Sequence, residues 1–385
     1  VACKTIIDPS ASVPTDETVE QDLVFTALIG FKDPPRPEVR TAIIECQQAG
    51  VKTVMITGDH PKTASAIAHE LKLGASVILG QELENLSNDE LTVRVPSIDI
   101  YARVTPEQKL RIIKALKYNG EIVAMTGDGI NDAPALREAD IGIAMGETGT
   151  DVAREAADLV LIDDNYATIV DAMKDGRRIY SNLQKSLRYY LAMKLSILGI
   201  ALLTLVLRLP LPFLPIQIIL MEVLTDILVA SAFEAEALEP TIMHQPPRKQ
   251  SEHLISRPLF LKVFIQALII IAGIITLFNY TLITHSLATA QTVAFATTLF
   301  ALVFLAFNNR SDNQPIYKLG ISSNRTLTLL SLGSLFITVL AIQFPLLQPI
   351  FGTVTLNPLH WTLILITAFL VTFWIEPIKI YKKQD

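Results

Sequence analysis

Asp128 and Asp132 stand four residues apart in the stretch AMTGDGINDAPAL, Ala124 to Leu136, directly after the apolar run Ile122 to Met125. Glycine belongs where backbone must approach a ligand closely, and carboxylates belong where a hard cation is held by oxygen. An apolar strand that ends in Thr-Gly-Asp-Gly therefore has the composition of a magnesium-phosphate site. The same design occurs once more, in VKTVMITGD, which ends at Thr57, Gly58 and Asp59. Phosphoryl transfer needs carboxylates for the metal, donors for phosphate oxygens, and a cation against the charge that develops in the transition state. Asp128 and Asp132 supply the first, Thr57, Gly58 and Asn131 the second, and Lys109 the third. One Gly-Asp alone is equally well explained as a turn or a helix cap. Two copies at two strand ends are not.

The elements that must carry these residues are legible nearby. ADIGIAMG reads as a further short strand, and helical stretches separate the strands: PKTASAIAHELKL, with Pro61 in its first turn, and PEQKLRIIKALKYNG, from Pro106 to Gly120. Alternating strands and helices predict a parallel sheet with helices on both faces, with ligands at the carboxyl ends of the strands. Both Thr-Gly-Asp groups fall at such ends.

A second kind of chemistry lies further along. Of the 385 residues half are hydrophobic, the mean hydropathy is +0.41, and the apolar excess is concentrated after about Leu187. Six segments of spanning length can be marked: Leu187 to Leu207, Phe213 to Phe233, Leu259 to Ile283, Leu287 to Phe307, Thr326 to Phe344 and Leu359 to Ile375. Arginine and lysine gather in alternate connectors, which places both ends and the polar amino-terminal half on the cytoplasmic side. Glu222 and Asp226 share one helical face of the second span, with Thr225 beside them, and Lys194 lies in the first. At 1.5 Å per residue Lys194 and Asp226 both sit roughly 10 Å deep, so an ion pair is within reach. Lys194 by itself is as well explained by snorkelling, whereas an intramembrane pair of carboxylates reads as a pathway. Glu234, Glu236 and Glu239, at the end of the second span, read as a solvated face.

The net charge of -6 does not mark a nucleic-acid binder, and the two cysteines, Cys3 and Cys46, are too few and too far apart to predict a structural disulfide. The chain opens at Val1 without Met or a signal peptide, so it reads as a possible fragment.

MITGDHPKTASAIA, ARVTPEQKLRIIKAL, AMTGDGINDAPALREADIGIAMGETGTDVAREAADLVLIDDN, GRRIYSN and, from Asp33, DPPRPEVRTAI resemble the phosphorylation domain and stalk of P-type cation-transporting ATPases, of the haloacid dehalogenase-like superfamily. The six spans resemble the last six of such a pump's ten, and EVLTD resembles its ion-liganding sixth span. The resemblance implies an α/β Rossmann-like (haloacid dehalogenase-like) phosphorylation domain over residues 24–175, followed by an all-α six-helix transmembrane bundle with its stalk over 176–385. Residues 1–23 would end a nucleotide-binding domain. It further implies that Asp128 ligates Mg2+, that Asn131 and Asp132 complete the phosphate site, that Lys109 stabilises the phosphoryl group, and that Thr57 and Gly58 contact phosphate. Asp33, Arg36, Asp59 and Arg103 would lie near ATP or the domain hinge, and Lys194, Glu222, Thr225 and Asp226 in the ion site.

Two departures qualify the resemblance. The family phosphorylates the aspartate of an Asp-Lys-Thr-Gly-Thr motif, and no such motif occurs in the chain. An amino-terminal half bearing that aspartate is therefore an expected partner, along with membrane lipid and a transported cation, and the chain alone is expected to be inactive. Calcium-pump-like members also carry an asparagine and a glutamate where Lys194 and Ile197 stand, and an asparagine at Glu222. Protonated lysine offers donors and no acceptor, so one of two calcium sites is expected to be lost; Ca2+, another divalent ion or H+ all remain open. The expected setting is a multi-pass protein of a bacterial plasma membrane. Two other readings stand beside the pump: a truncated membrane protein that binds or regulates an intact relative, and a membrane-tethered hydrolase, which would lack a nucleophile.

Overall fold

The computed structural model describes residues 1–3, 23–29, 34–227, 232–248 and 252–381. Asp33 and most of the expected nucleotide-domain remnant lie outside them. The chain divides into two compact units, one of residues 1–46 with 52–167, the other of 47–51 with 168–385.

In the first unit, β1 (Ala2–Cys3) pairs antiparallel with β2 (Val24–Phe25), and α1 spans Pro37–Gln48. Two parallel sheets follow. β3 (Met55–Thr57), β4 (Val77–Leu79) and β5 (Ile100–Ala102) form one, in the order β3-β5-β4. β6 (Ala124–Gly127), β7 (Ile141–Met145) and β8 (Leu159–Leu161) form the other, in the order β6-β7-β8. The expected single sheet is thus two three-stranded sheets. A parallel sheet continues only where a further strand satisfies the next row of backbone groups. Among the described residues none does so beside β3 or beside β6, and both remain edges.

Helices α2 (Pro61–Glu70), α3 (Pro106–Tyr118), α4 (Ala133–Glu138) and α5 (Asp151–Ala156) connect these strands. α3 begins at a capping box, in which Thr105 and Gln108 bond each other's backbone amides, with Pro106 in the first helical position. It stops before Gly120, whose φ of +80° suits glycine. Its adjacent residues face different cores: Ile112 packs with Ile78, Leu91 and Tyr101, and Ile113 with Met125, Leu136 and Ala144. One helix therefore braces both sheets.

The second unit is helical. α6 (Tyr166–Val206) is a single rod of 41 residues, so the first expected span is the far end of a longer helix. α7 (Pro215–Ile227), α8 (Arg257–Thr284), α9 (Leu287–Asn308), α10 (Arg325–Gln343) and α11 (Pro358–Phe373) follow. Among the described residues five helices are long and apolar enough to cross a membrane. The second expected span is described as the helix α7 up to Ile227, while residues 228–231 lie outside the described set. α9 is the axis of the bundle: 83% of its apolar window is buried, against 33–39% in the other four. Small residues at Ala290, Ala294, Ala296 and Ala301 let α7, α8, α10 and α11 pack closely on it.

The acids after the second span divide. Glu234 is exposed, but Glu236 is only 5% exposed. Arg310 grips its two oxygens with Nε and Nη2, at 3.0 and 2.8 Å. Asn324 Nδ2 adds a bond at 2.7 Å. Glu239 pairs with the buried Lys185 at 2.7 Å. The reading of these acids as a solvated face is corrected: a connector between spans can bury a carboxylate when a bidentate arginine satisfies it.

Candidate functional site

Two sites can be built. The first is divided between the carboxyl ends of β3 and β6, which stand in separate sheets. The backbone leaves β6 at Gly127, where an added Cβ would stand 2.6 Å from Asp132 Cβ. Only glycine allows Asp132 to fold back over the strand end. Asp132, 6% exposed, receives Lys109 Nζ on Oδ1 at 2.6 Å and the Gly129 amide on Oδ2 at 3.3 Å. The braced helix α3 thereby delivers an ammonium to the tip of β6. Asp132 neutralises and aims Lys109 and is occupied in doing so, which separates it from Asp128. Asp128 and Asn131 are exposed.

At the tip of β3, Thr57 Oγ1 accepts the Asp59 amide at 3.1 Å. A hydroxyl that accepts there still has its own proton to donate. A Cβ on Gly58 would meet nothing within 4 Å, so a ligand has open access to this backbone. Asp59 is exposed, followed by His60, whose Nδ1 caps α2 by accepting the Lys62 amide. Arg103 holds a left-handed φ of +58° at the end of β5, the strand paired with β3, and its carbonyl lies where a Cβ on Gly80 would stand. Arg36 Nη1 donates to the Asp164 carbonyl at 2.6 Å.

A cavity of about 340 Å³ adjoins Asp128, lined also by Arg36, Met145, Thr148, Asp164 and Tyr166. Asp164 was not singled out from the sequence. Thr148 and the backbone amides of Glu147 and Thr148 hold its carboxyl at a pKa of about 2, outweighing burial. The signal available was the Asp163-Asp164-Asn165 run after an apolar strand. Nothing in its spacing distinguished it from a turn.

The second site lies within the helical unit. Lys194 of α6 bonds the Glu222 carboxylate of α7 and stands 3.8 Å from Asp226. Its ammonium also lies 5.0 Å from the Tyr190 ring centroid. The ion pair therefore forms, and chiefly with Glu222. Thr225 is wholly buried, and its hydroxyl donates to the Met221 carbonyl at 2.6 Å. The hydroxyl donates also toward the Glu222 carbonyl at 3.3 Å, which leaves its oxygen lone pairs available to accept. The side chains remain partly open, Lys194 at 29%, Glu222 at 35% and Asp226 at 52% exposure. Among the described residues no group of three or more His, Cys, Asp or Glu could hold a metal ion.

Comparison with known proteins places both sites in context. A family profile described as "Cation transporting ATPase, C-terminus" matches residues 210–381, and two described as "haloacid dehalogenase-like hydrolase" match 10–140 and 109–173. A "Calcium-transporting ATPase" of Bacillus subtilis (strain 168) is 43% identical over 380 residues, 97% of this chain and 43% of the relative. "Calcium-transporting ATPase 1" of Saccharomyces cerevisiae is 36% identical, over 89% of the chain and 37% of its own length. The human "Calcium-transporting ATPase type 2C member 1" is 35% identical, over 87% and 37%. The chain spans less than half the length of the relatives it matches.

Proposed function

Because the chain belongs to the P-type cation-transporting ATPases and matches their carboxyl-terminal portion, we propose that it is the phosphoryl-handling and ion-binding part of an ATP-driven cation pump. The observation that carries this reading is the trio Lys194, Glu222 and Asp226, a charged cluster held among apolar helices, in a chain whose other unit pairs Lys109 with Asp132 at a strand end. Ionised groups at membrane depth are costly and mark ion pathways.

In the proposed reaction the chain supplies the receiving half of an aspartyl-phosphate site. Thr57 Oγ and the Gly58 amide donate to phosphoryl oxygens, and Lys109, aimed by Asp132, offsets the charge that develops on them. The exposed Asp128 beside an open cavity fits one carboxylate ligand of Mg2+, which would neutralise phosphate charge when bound. Asn131 lies at the same strand tip, able to reach a phosphate oxygen, while Asp59, Arg36 and Arg103 serve nucleotide or hinge contacts. The phosphorylated aspartate is read as lying outside these residues, since no Asp-Lys-Thr-Gly-Thr motif occurs in them.

The ion is proposed to be a divalent cation, Ca2+ first, after the printed names of the relatives. Glu222 and Asp226 offer the hard oxygen ligands such an ion prefers, and Lys194 occupies Glu222 in its absence. Further spans would cover the half-exposed Asp226, which is too costly to leave against lipid. No observation favours the truncated regulator. The test is Asp226→Asn in the whole pump: ion-dependent ATP turnover should be lost, and unchanged ion dependence would remove Asp226 from the site.

A further inference from the structure

The cavity beside Asp128 contains a second carboxylate, Asp164, to which the phosphoryl chemistry above gives no part. Two acids facing one cavity invite assignment as a pair of metal ligands. The bonding of Asp164 argues otherwise. Its Oδ1 accepts the Glu147 amide at 3.0 Å, and its Oδ2 accepts both the Thr148 amide at 2.8 Å and Thr148 Oγ1 at 2.7 Å. About four acceptor positions exist on a carboxylate, and three are taken by this single turn. The side chain is buried, with the residue 5% exposed.

The turn it grips is the one that holds Asp128. After β7 the chain passes through Gly146, Glu147, Thr148 and Gly149 to Thr150, whose amide donates to the Asp128 carbonyl at 2.9 Å. Arg154 braces the same turn from α5 by donating to the Gly146 carbonyl at 2.9 Å. The Asp164 carbonyl receives Arg36 as well. One residue therefore joins three segments around the cavity: the turn after β7, through it the end of β6 with Asp128, and the approach to α1. Asp164 does so with a φ of +48°, a left-handed conformation that disfavours most non-glycine residues. Three bonds from the turn and one from Arg36 offset that strain, which identifies the conformation as one the surroundings impose.

We infer that Asp164 is a positioning residue for the magnesium site at Asp128: it fixes the 146–150 turn, and with it the place of the Asp128 carboxylate, and is not itself a metal ligand. The inference rests on the reading of Asp128 as the magnesium ligand. Outer partners of metal ligands typically alter metal affinity about 10- to 100-fold when removed.

The experiment measures Mg2+ binding to the whole pump by isothermal titration calorimetry, and ATP turnover against free Mg2+, for the parent and for Asp128→Ala, Asp164→Asn, Thr148→Val and Thr148→Ser. Asp164→Asn and Thr148→Val should each raise the half-saturating Mg2+ about tenfold or more, with the KM for ATP at saturating Mg2+ little changed. Thr148→Ser, which keeps the hydroxyl, should restore the parent value. A merely structural role would lower turnover without moving the Mg2+ midpoint. Should Asp164→Asn fail to fold, the contrast between Thr148→Val and Thr148→Ser still decides. If Asp128→Ala abolishes turnover while the Asp164 and Thr148 variants keep the parent midpoint, the inference is wrong and the functional reading stands. If Asp128→Ala leaves turnover and Mg2+ dependence intact, the functional reading fails and the inference falls with it.

Discussion

Gly127 is the residue on which the tip of β6 turns. A methyl group there would sit 2.6 Å from Asp132 Cβ, so Gly127→Ala must displace the carboxylate that aims Lys109. Overpacking of this kind costs about 1–3 kcal/mol. We expect a lowered melting temperature together with loss of turnover, whereas Lys109→Met should lose turnover at nearly parental stability; equal melting of Gly127→Ala and the parent would contradict the packing argument. Asp164 makes a prediction about pH. Its carboxyl titrates at about 2, held down by Thr148 and the amides of its turn, below the ordinary aspartate value of about 3.9. A depressed folded pKa contributes stability that is fully present above the ordinary value and is lost as pH falls through about 2. Asp164→Asn should therefore destabilise the protein at neutral pH and converge on the parent between about pH 4 and 2. Thermal melts across that range would show it; a difference independent of pH would exclude the carboxylate as the source.

At the scale of elements, stability depends on groups that bind one segment to another. Arg310, 2% exposed, satisfies Glu236 of the connector after α7 and also donates to the Gly320 carbonyl at 2.8 Å. Removing one member of a buried pair leaves the other charge without compensation, at about 3–5 kcal/mol. Arg310→Ala should be markedly destabilising in detergent unfolding, and the double change Arg310→Leu with Glu236→Leu should recover much of the loss; a double variant as unstable as the single would show that packing, not charge, is at stake. α3 illustrates what short-range pattern can convey. Its cap at Thr105, its Pro106 and its terminal Gly120 are local signals, and its observed limits follow them. That its neighbouring residues Ile112 and Ile113 would serve two different cores was not legible, because periodicity indicates which residues are buried but not against which partner. The same limit explains why one sheet was expected and two were found.

For the molecule as a whole, the proposed pump requires that ATP turnover in one unit respond to ion binding in the other. Lys194 makes this testable. If it neutralises Glu222 and Asp226 in the absence of the cation, then Lys194→Met removes a competitor, and the divalent ion should activate ATP turnover at several-fold lower concentration. An unchanged activation midpoint would place Lys194 outside the ion equilibrium. Five of the six expected spans, and the strand ends at Thr57 and Gly127, follow the sequence signals, because a strand end marked by Thr-Gly-Asp, a helix cap and a run of apolar residues are each encoded within a few positions. Their partnerships were decided by tertiary structure. Lys109 meets Asp132 across 23 residues, Lys194 meets Glu222 across 28, and Glu236 meets Arg310 across 74. Asp164, the acid that escaped notice, is defined wholly by the turn it holds. Such pairings depend on which faces pack together, and only the folded chain specifies them.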